Sequence, residues 1–165
     1  MGMLDLGAKI ESVDFTPDDR QVLLASGTKT WFWTLTIPRT PPKTVEHGAL
    51  VRYAGYFPSG TQVLSVAEDG TARVAKPEQS VWLRTLRAPK GRLRFALPFC
   101  SDAQVVGTDD QGKLLFYTGN QLSNTVDLGA PADRLLTNPS CQRVLIKTAK
   151  HVLIYTPATD RLDII

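Results

Sequence analysis

The residues of this chain that could do acid–base or metal chemistry are few and spread along the sequence. The two histidines, His47 and His151, are too few and too far apart in sequence to suggest a metal site. Acidic pairs occur at Glu68-Asp69 and Asp109-Asp110, where paired carboxylates could bind a cation or act as acid and base. Both pairs stand at turns between β-rich runs, where Asp is a turn former, so a structural role is favoured.

Patterns for nucleophilic or phosphate chemistry do not accompany these residues. The sequence has no Gly-rich phosphate loop, no Ser in a nucleophile elbow and no Cys with a nearby His motif. Cys100 and Cys141 form no motif, and free thiols in a reducing compartment are favoured over a disulfide. We therefore expect no catalytic residues, no metal and no cofactor, and we expect that the chain is not an enzyme.

The densest cluster of charge is basic and lies in the middle of the chain. Its members are Arg84, Arg87, Lys90, Arg92 and Arg94. Such a cluster could contact a phosphate backbone, because Lys and Arg release counterions when they bind nucleic acid. A solvated rim is the favoured interpretation, since no aromatic interleaving marks a groove, and nucleic-acid association is kept as the alternative.

Composition indicates an ordinary globular chain. The 165 residues are 42% hydrophobic and 21% charged, with a net charge of +3 that permits an acidic partner without requiring one. No apolar run approaches the roughly 20 residues that span a bilayer, so no membrane association is expected. The first ten residues do not resemble a signal peptide, which makes the cytoplasm the expected location.

The elements that must position these residues are predicted to be strands. The stretch 56–75 contains a Pro-Ser-Gly turn, an apolar run at 62–66, the turn Glu68-Asp69-Gly70, and a second β-rich run at 71–75. Asp-Gly between two such runs is a strong hairpin signal, because Gly adopts positive φ without steric cost. No long segment has helical apolar periodicity, so the whole chain is predicted to be all-β.

The same unit recurs along the chain with a period near 40 residues. The aligned segments are TPDDRQVLLAS (16–26), FPSGTQVLSVA (57–67), FCSDAQVVGTD (99–109) and NPSCQRVLIKT (138–148). Val22, Val63, Val105 and Val144 then fall in register, with steps of 41, 42 and 39 residues. The following strands align at Trp33, Ala75, Tyr117 and Tyr155. Such a period, with three or four short strands per unit, is typical of propeller blades.

The units resemble the WD-repeat family in divergent form. The second unit matches best, with His47-Gly48, Phe57-Pro58-Ser59-Gly60 and Asp69-Gly70-Thr71 at the family's positions. The resemblance implies a hydrogen-bonded network of His, Ser or Thr, Asp and Trp within a blade. His47, Ser65 and Asp69 would supply three of its members, and Ala75 leaves the fourth vacant.

At that fourth position, the end of the third strand, the other units carry aromatic residues. They are Trp33, Tyr117 and Tyr155. Only the first unit keeps the tryptophan of the family, and no unit has the Asp that follows it.

We expect one domain over residues 1–165, with four four-stranded antiparallel blades near 9–49, 50–91, 92–132 and 133–165. Leu4-Asp5-Leu6 stands where the outer strand of a preceding blade would lie, and the Pro-containing linker 37–42 disfavours a central strand. Because rings of this type usually need more than four blades, we favour an incomplete propeller. Upstream blades or self-association could complete it, although closure by the four units alone is a third possibility.

The function that the resemblance implies is a non-catalytic scaffold that binds protein partners. Phe32 alternates with Trp31 and Trp33 and would face either a neighbouring blade or a partner. A propeller enzyme with its site in the central channel has less support, because four inner-strand positions are apolar. They are Val13, Val51, Leu93 and Leu135.

Overall fold

A computed structural model describes residues 5–35 and 41–165 of the chain. In it the chain folds into four separate four-stranded antiparallel sheets. The first sheet contains β1 (Ile10–Phe15), β2 (Gln21–Ser26), β3 (Lys29–Thr34) and β4 (Lys43–Glu46). The second contains β5 (Val51–Tyr56), β6 (Val63–Ala67), β7 (Thr71–Lys76) and β8 (Val81–Arg87). The third contains β9 (Leu93–Phe99), β10 (Ser101–Asp109), β11 (Lys113–Thr118) and β12 (Gln121–Asp127). The fourth contains β13 (Ala132–Thr137), β14 (Val144–Thr148), β15 (Val152–Thr156) and β16 (Arg161–Ile164).

Within every sheet the strands lie in chain order, each paired with the next. Consecutive antiparallel strands need only short turns, and the short turns were the clearest signal in the sequence. The predicted all-β class with four four-stranded antiparallel sheets is confirmed. One short 3₁₀ turn, Pro157–Thr159, joins β15 to β16.

The register of the four sheets follows the repeat in the sequence. Each aligned valine of the second strand is the direct cross-strand partner of the aligned residue of the third. The pairs are Val22–Trp33, Val63–Ala75, Val105–Tyr117 and Val144–Tyr155. Residues opposite each other in an antiparallel pair share a face of the sheet. The four units are therefore equivalent in register across their second and third strands, and not merely similar in length.

Three apolar cores hold the sheets side by side. Leu23, Ala25 and Phe32 of the first sheet pack on Ala54 and Val63 of the second. The second and third sheets share a core that includes Leu64, Val74, Val105 and Leu115. The third and fourth share another, which includes Val106, Leu114, Val144 and Ile146. Each inner sheet thus buries both of its faces.

The predicted Asp-Gly hairpin joins β6 to β7. The Asp69 Oδ1 atom accepts hydrogen bonds from the Thr71 N–H at 2.9 Å and the Thr71 hydroxyl at 2.7 Å. Gly70 has a φ of +78°, and a Cβ there would lie 2.7 Å from the Cβ of Arg92. Glycine is therefore needed both for the turn and for the close approach of the loop before β9.

The stack does not close on itself within the described residues: the first sheet packs on the second and the fourth on the third. Residues 5–9 form no strand, and Leu4, the first residue of the expected preceding outer strand, lies outside the described residues. Of the linker 37–42, only Pro41 and Pro42 are described, and neither is in a strand. The blade limits and the single domain stay predictions.

In the described parts of the chain, no helix is long and apolar enough to cross a membrane.

Candidate functional site

Three residues of the expected blade network, His47, Ser65 and Asp69, lie close together in and beside the second sheet. His47 is 3% exposed, and its Nε2 atom lies 2.6 Å from the hydroxyl of Ser65. Asp69 pairs with Arg73 at 3.0 Å, and Arg73 in turn donates to the His47 carbonyl at 2.8 Å. His47, Ser65 and Asp69 are thus brought to one place, with Arg73 linking the carboxylate to the histidine. Sequence analysis had not included Arg73.

The electrostatics of this network keep the histidine neutral. Burial, together with the charge of Arg73, lowers the pKa of His47 to about 4. Burial opposes ionisation of Asp69, but the hydrogen bonds from Thr71 and the charge of Arg73 outweigh it and lower the Asp69 pKa. A buried neutral imidazole bonded to a hydroxyl holds strands together, and this arrangement is typical of a structural role.

Trp82 occupies the space beside His47 that Ala75 leaves vacant. Trp82 is the direct cross-strand partner of Ala75, and its ring meets the His47 ring edge-on with centroids 4.5 Å apart. Its Nε1–H donates to the Glu46 carbonyl at 3.1 Å. The tryptophan of this network therefore comes from the fourth strand and not the third. The signal in the sequence was a lone Trp opposite a small Ala.

Tyr117 and Tyr155 tie their sheets to the preceding ones. The Tyr117 hydroxyl donates to the carbonyl of Arg87, at the end of β8, at 2.9 Å. The Tyr155 hydroxyl donates to Asp160 at 2.6 Å and accepts from Asn124 of β12 at 3.2 Å. Both rings are buried, and burial raises the pKa of each hydroxyl. Trp33, the equivalent residue of the first sheet, is half-buried.

Both carboxylates of the second acidic pair accept hydrogen bonds from backbone N–H groups. Asp109 accepts from the backbone N–H groups of Gln111 and Lys113, and Asp110 accepts from that of Arg92. In the described residues no three His, Cys, Asp or Glu side chains gather where they could hold a metal ion. His151 is exposed.

The fold separates Arg84 from the other four members of the basic cluster. Arg84 is half-buried, donates to the Asp102 carbonyl at 2.8 Å and lies over the Phe57 ring at 5.7 Å. Burial lowers the pKa of Arg84. The other four members are exposed: Arg87, Lys90, Arg92 and Arg94. Arg84 therefore holds the second sheet to the first residues of β10, and it is not part of one continuous basic surface.

The two cysteines lie at equivalent turns of the third and fourth sheets. Both are free, and both have positive φ, at +64° for Cys100 and +58° for Cys141. The Cys100 thiol is 3.8 Å from the Cys141 carbonyl oxygen. Desolvation and the neighbouring Cys141 raise the pKa of the Cys100 thiol above its usual value.

A concave groove of about 660 Å³ is lined by the first strands of all four sheets. Its walls include the charged residues Glu11, Asp14, Arg52 and Arg134, and Leu135 is the one of the four expected apolar positions that also lines it. Val51 and Leu93 point instead into the cores between sheets. The alternation along each strand explains the difference, because neighbouring residues face opposite ways.

Side chains of β1 satisfy the free edge of β5 along this groove. The Ser12 hydroxyl accepts from the Ala54 N–H, and the Asp14 carboxylate accepts from the Tyr56 N–H, both at 2.9 Å. Burial, together with the charge of Asp14, raises the pKa of Tyr53 to about 12. These contacts join the first two sheets by polar groups as well as by their apolar core.

Apolar side chains also cover the face of the first sheet that points away from the second. Pairing places Val13, Leu24 and Trp31 in one row across this face. Phe15, Val22 and Trp33 form the next row. Val13 and Phe15 are 57% and 53% exposed. We call four of these residues, Val13, Phe15, Val22 and Trp31, the leading face.

The fourth sheet has an apolar surface on the side that points away from the third. Leu136, Leu145 and Ile154 are cross-strand partners in one row, and we call them the trailing face. Leu136 is 46% exposed, and the row lines a depression of about 260 Å³. The leading and trailing faces are the two ends of the stack.

Phe32 does not belong to either end. It lies on the opposite side of β3 from Trp31 and Trp33 and is buried in the core between the first and second sheets. Of its two expected positions, the neighbouring sheet is the one observed. Phe32 is therefore not presented to a partner, and the assignment of Phe32 to a binding surface is corrected.

Comparison with known proteins gives no matching family model and no match among the curated proteins.

Proposed function

We propose that the chain is a non-catalytic protein–protein interaction scaffold, built from WD-like blades as an incomplete propeller, that binds protein partners through its leading and trailing faces. The divergent WD resemblance supplies the blade interpretation. The sequential antiparallel sheets and their repeated register are compatible with it.

The observation that carries the proposal is a difference in burial between equivalent positions of the four units. Val63, Val105 and Val144 are each buried against the preceding sheet. Val22, which aligns with them, is on the leading face and only half-buried. A sheet face that has the composition of a buried interface but is partly exposed is typical of a surface that binds another protein.

The trailing face shows the same difference in burial, here for the residues that face the following sheet. Leu23, Leu64 and Val106 are each fully buried against the following sheet. Leu145 aligns with them and is only half-buried. Both ends thus continue the pattern that holds the inner sheets together, and this favours the end faces over the basic stretch, whose Arg84 is turned into the fold.

Site-specific photo-crosslinking tests this function. A benzophenone side chain would replace Val13 on the leading face or Ile154 on the trailing face of the full chain in cells. Leu83, which is exposed on β8 away from both faces, is the matched control position. We expect protein adducts, of this chain or of another, from positions 13 and 154 and none from position 83. Equal labelling at all three positions, or no adduct at either face, contradicts the proposal.

A further inference from the structure

We infer that the leading face of one copy of this chain packs on the trailing face of a second copy, and the reverse, so that two chains form a closed ring of eight sheets. The inference rests on the proposed function and names the partner of the same two faces.

The repeat register makes the two faces complementary in type. Within one chain, each residue aligned with Leu145 that is buried faces the following sheet, and each residue aligned with Val22 that is buried faces the preceding sheet. The two kinds of residue therefore meet in the core between neighbouring sheets. Leu23 and Val63 share the first core in this way, and Leu64 and Val105 share the second. Leu145 of one copy against Val22 of another continues the same stacking pattern.

Each copy offers one face of each type, so a two-fold arrangement covers both at once. Pairing leading face with leading face would join surfaces that never meet within the chain. Head-to-tail contacts of this kind close into a ring when the rotation permits and otherwise grow as filaments. Two copies would give eight sheets, which lies within the range of about four to eight blades that propellers adopt, whereas three copies would exceed it.

The chemistry of the two faces suits such a contact. The leading face carries bulky residues, Phe15 and Trp31 among them, that project from a twisted sheet. The trailing face has a depression lined by Leu136, Leu145 and Ile154. An aromatic anchor entering an apolar depression is a frequent arrangement at the centre of protein interfaces.

Sedimentation of two single variants and their mixture tests the inference. Phe15→Glu places a carboxylate on the leading face, and Leu136→Glu places one on the trailing face. Both positions are about half exposed, so each variant is expected to fold, and circular dichroism checks this. Leu83→Glu, on the exposed side of β8, is the matched control.

We expect wild type and Leu83→Glu to sediment at twice the 18.1 kDa of one chain. Each face variant alone damages both contacts of the ring and should run at the single mass, with association weakened roughly 100-fold or more by the buried carboxylate. An equimolar mixture keeps one undamaged contact, leading face of one variant with trailing face of the other. It should therefore return to the double mass at a concentration where neither variant dimerises.

Three results would overturn the inference. The first is a wild-type chain that stays at the single mass up to high micromolar concentration, or that runs beyond the double mass. The second is a double mass for the trailing-face variant alone, because leading faces would then pair with each other. The third is a mixture that does not recover the double mass. Crosslinks to a different protein from positions 13 and 154 would leave the scaffold function standing while self-association fails.

Discussion

The side chains of His47 and Trp82 pack against each other beside the second sheet. The imidazole is bonded to Ser65 on one side, and its Nδ1 atom has no hydrogen-bond partner in the described structure. The edge of the Trp82 ring packs on it, so water has little access to the ring. These two residues give the two predictions at the residue scale.

Protonation of His47 should make the fold less stable in mild acid. The folded-state pKa is about 4, below the usual value of about 6.5 in an unfolded chain. Between these values the unfolded chain binds a proton that the folded chain does not, so stability is lost as the pH falls from about 6.5. We expect the free energy of unfolding to drop by about 1 kcal/mol between pH 7 and pH 5.5 in denaturant titrations.

His47→Gln is the control for that pH dependence. Gln keeps a polar side chain next to Ser65 but cannot titrate, and the exposed His151 is present in both proteins. The drop between pH 7 and pH 5.5 should be smaller in the variant. An identical pH dependence in the two proteins would show that His47 does not carry the effect.

Removing the Trp82 ring should cost more than removing its hydrogen bond. Trp82→Ala deletes the contact with His47 and leaves a cavity beside Ala75, for which we expect a loss of roughly 2–4 kcal/mol of unfolding free energy. Trp82→Phe keeps an aromatic ring and loses the bond to the Glu46 carbonyl, for which we expect about 1 kcal/mol. Equal losses in chemical denaturation would contradict the packing role.

At the scale of elements, side chains of β1 hydrogen-bond to the backbone at the edge of β5. Strands at the edge of a sheet leave backbone groups unpaired. The side chains of Ser12 and Asp14 accept hydrogen bonds from two such N–H groups of β5. Asp14→Ala should therefore leave the Tyr56 N–H without an acceptor and cost roughly 1–3 kcal/mol.

Amide hydrogen exchange measures this effect locally. In Asp14→Ala the Tyr56 amide should exchange faster, while the amides in the middle of β6 keep their relative protection. Asp14→Asn retains one acceptor oxygen and should lose less protection. Unchanged exchange at Tyr56 in the alanine variant would mean that the contact does not stabilise the edge.

The hairpins and the register could be read from the sequence because turn residues and β-rich runs are local signals. Asp69-Gly70 fixes one hairpin, and the aligned valines fix which residues face each other across β2–β3 and its equivalents. Trp82 could not be assigned to the network in this way, because its contact with His47 joins residues that are far apart in the chain. The inward orientation of Arg84 depends on its hydrogen bond to β10 of a different sheet, which no local pattern predicts.

At the scale of the whole molecule, three apolar cores lie between four equivalent sheets, and the two outermost faces carry apolar residues that are partly exposed. The sequence revealed the number of units but not which of their faces would be left at the ends. Phe32 illustrates this, because alternation placed it opposite the two tryptophans without telling which side is the core.

Thermal unfolding of glutamate variants at four aligned positions tests the account most directly. We expect Leu23→Glu, Leu64→Glu and Val106→Glu to abolish the cooperative transition, because each places a carboxylate in a sealed core between two sheets. Leu145→Glu, at the same position of the last unit, should keep a cooperative transition. Loss of that transition in Leu145→Glu, or its survival in Leu64→Glu, would contradict the stacking of equivalent sheets with open ends.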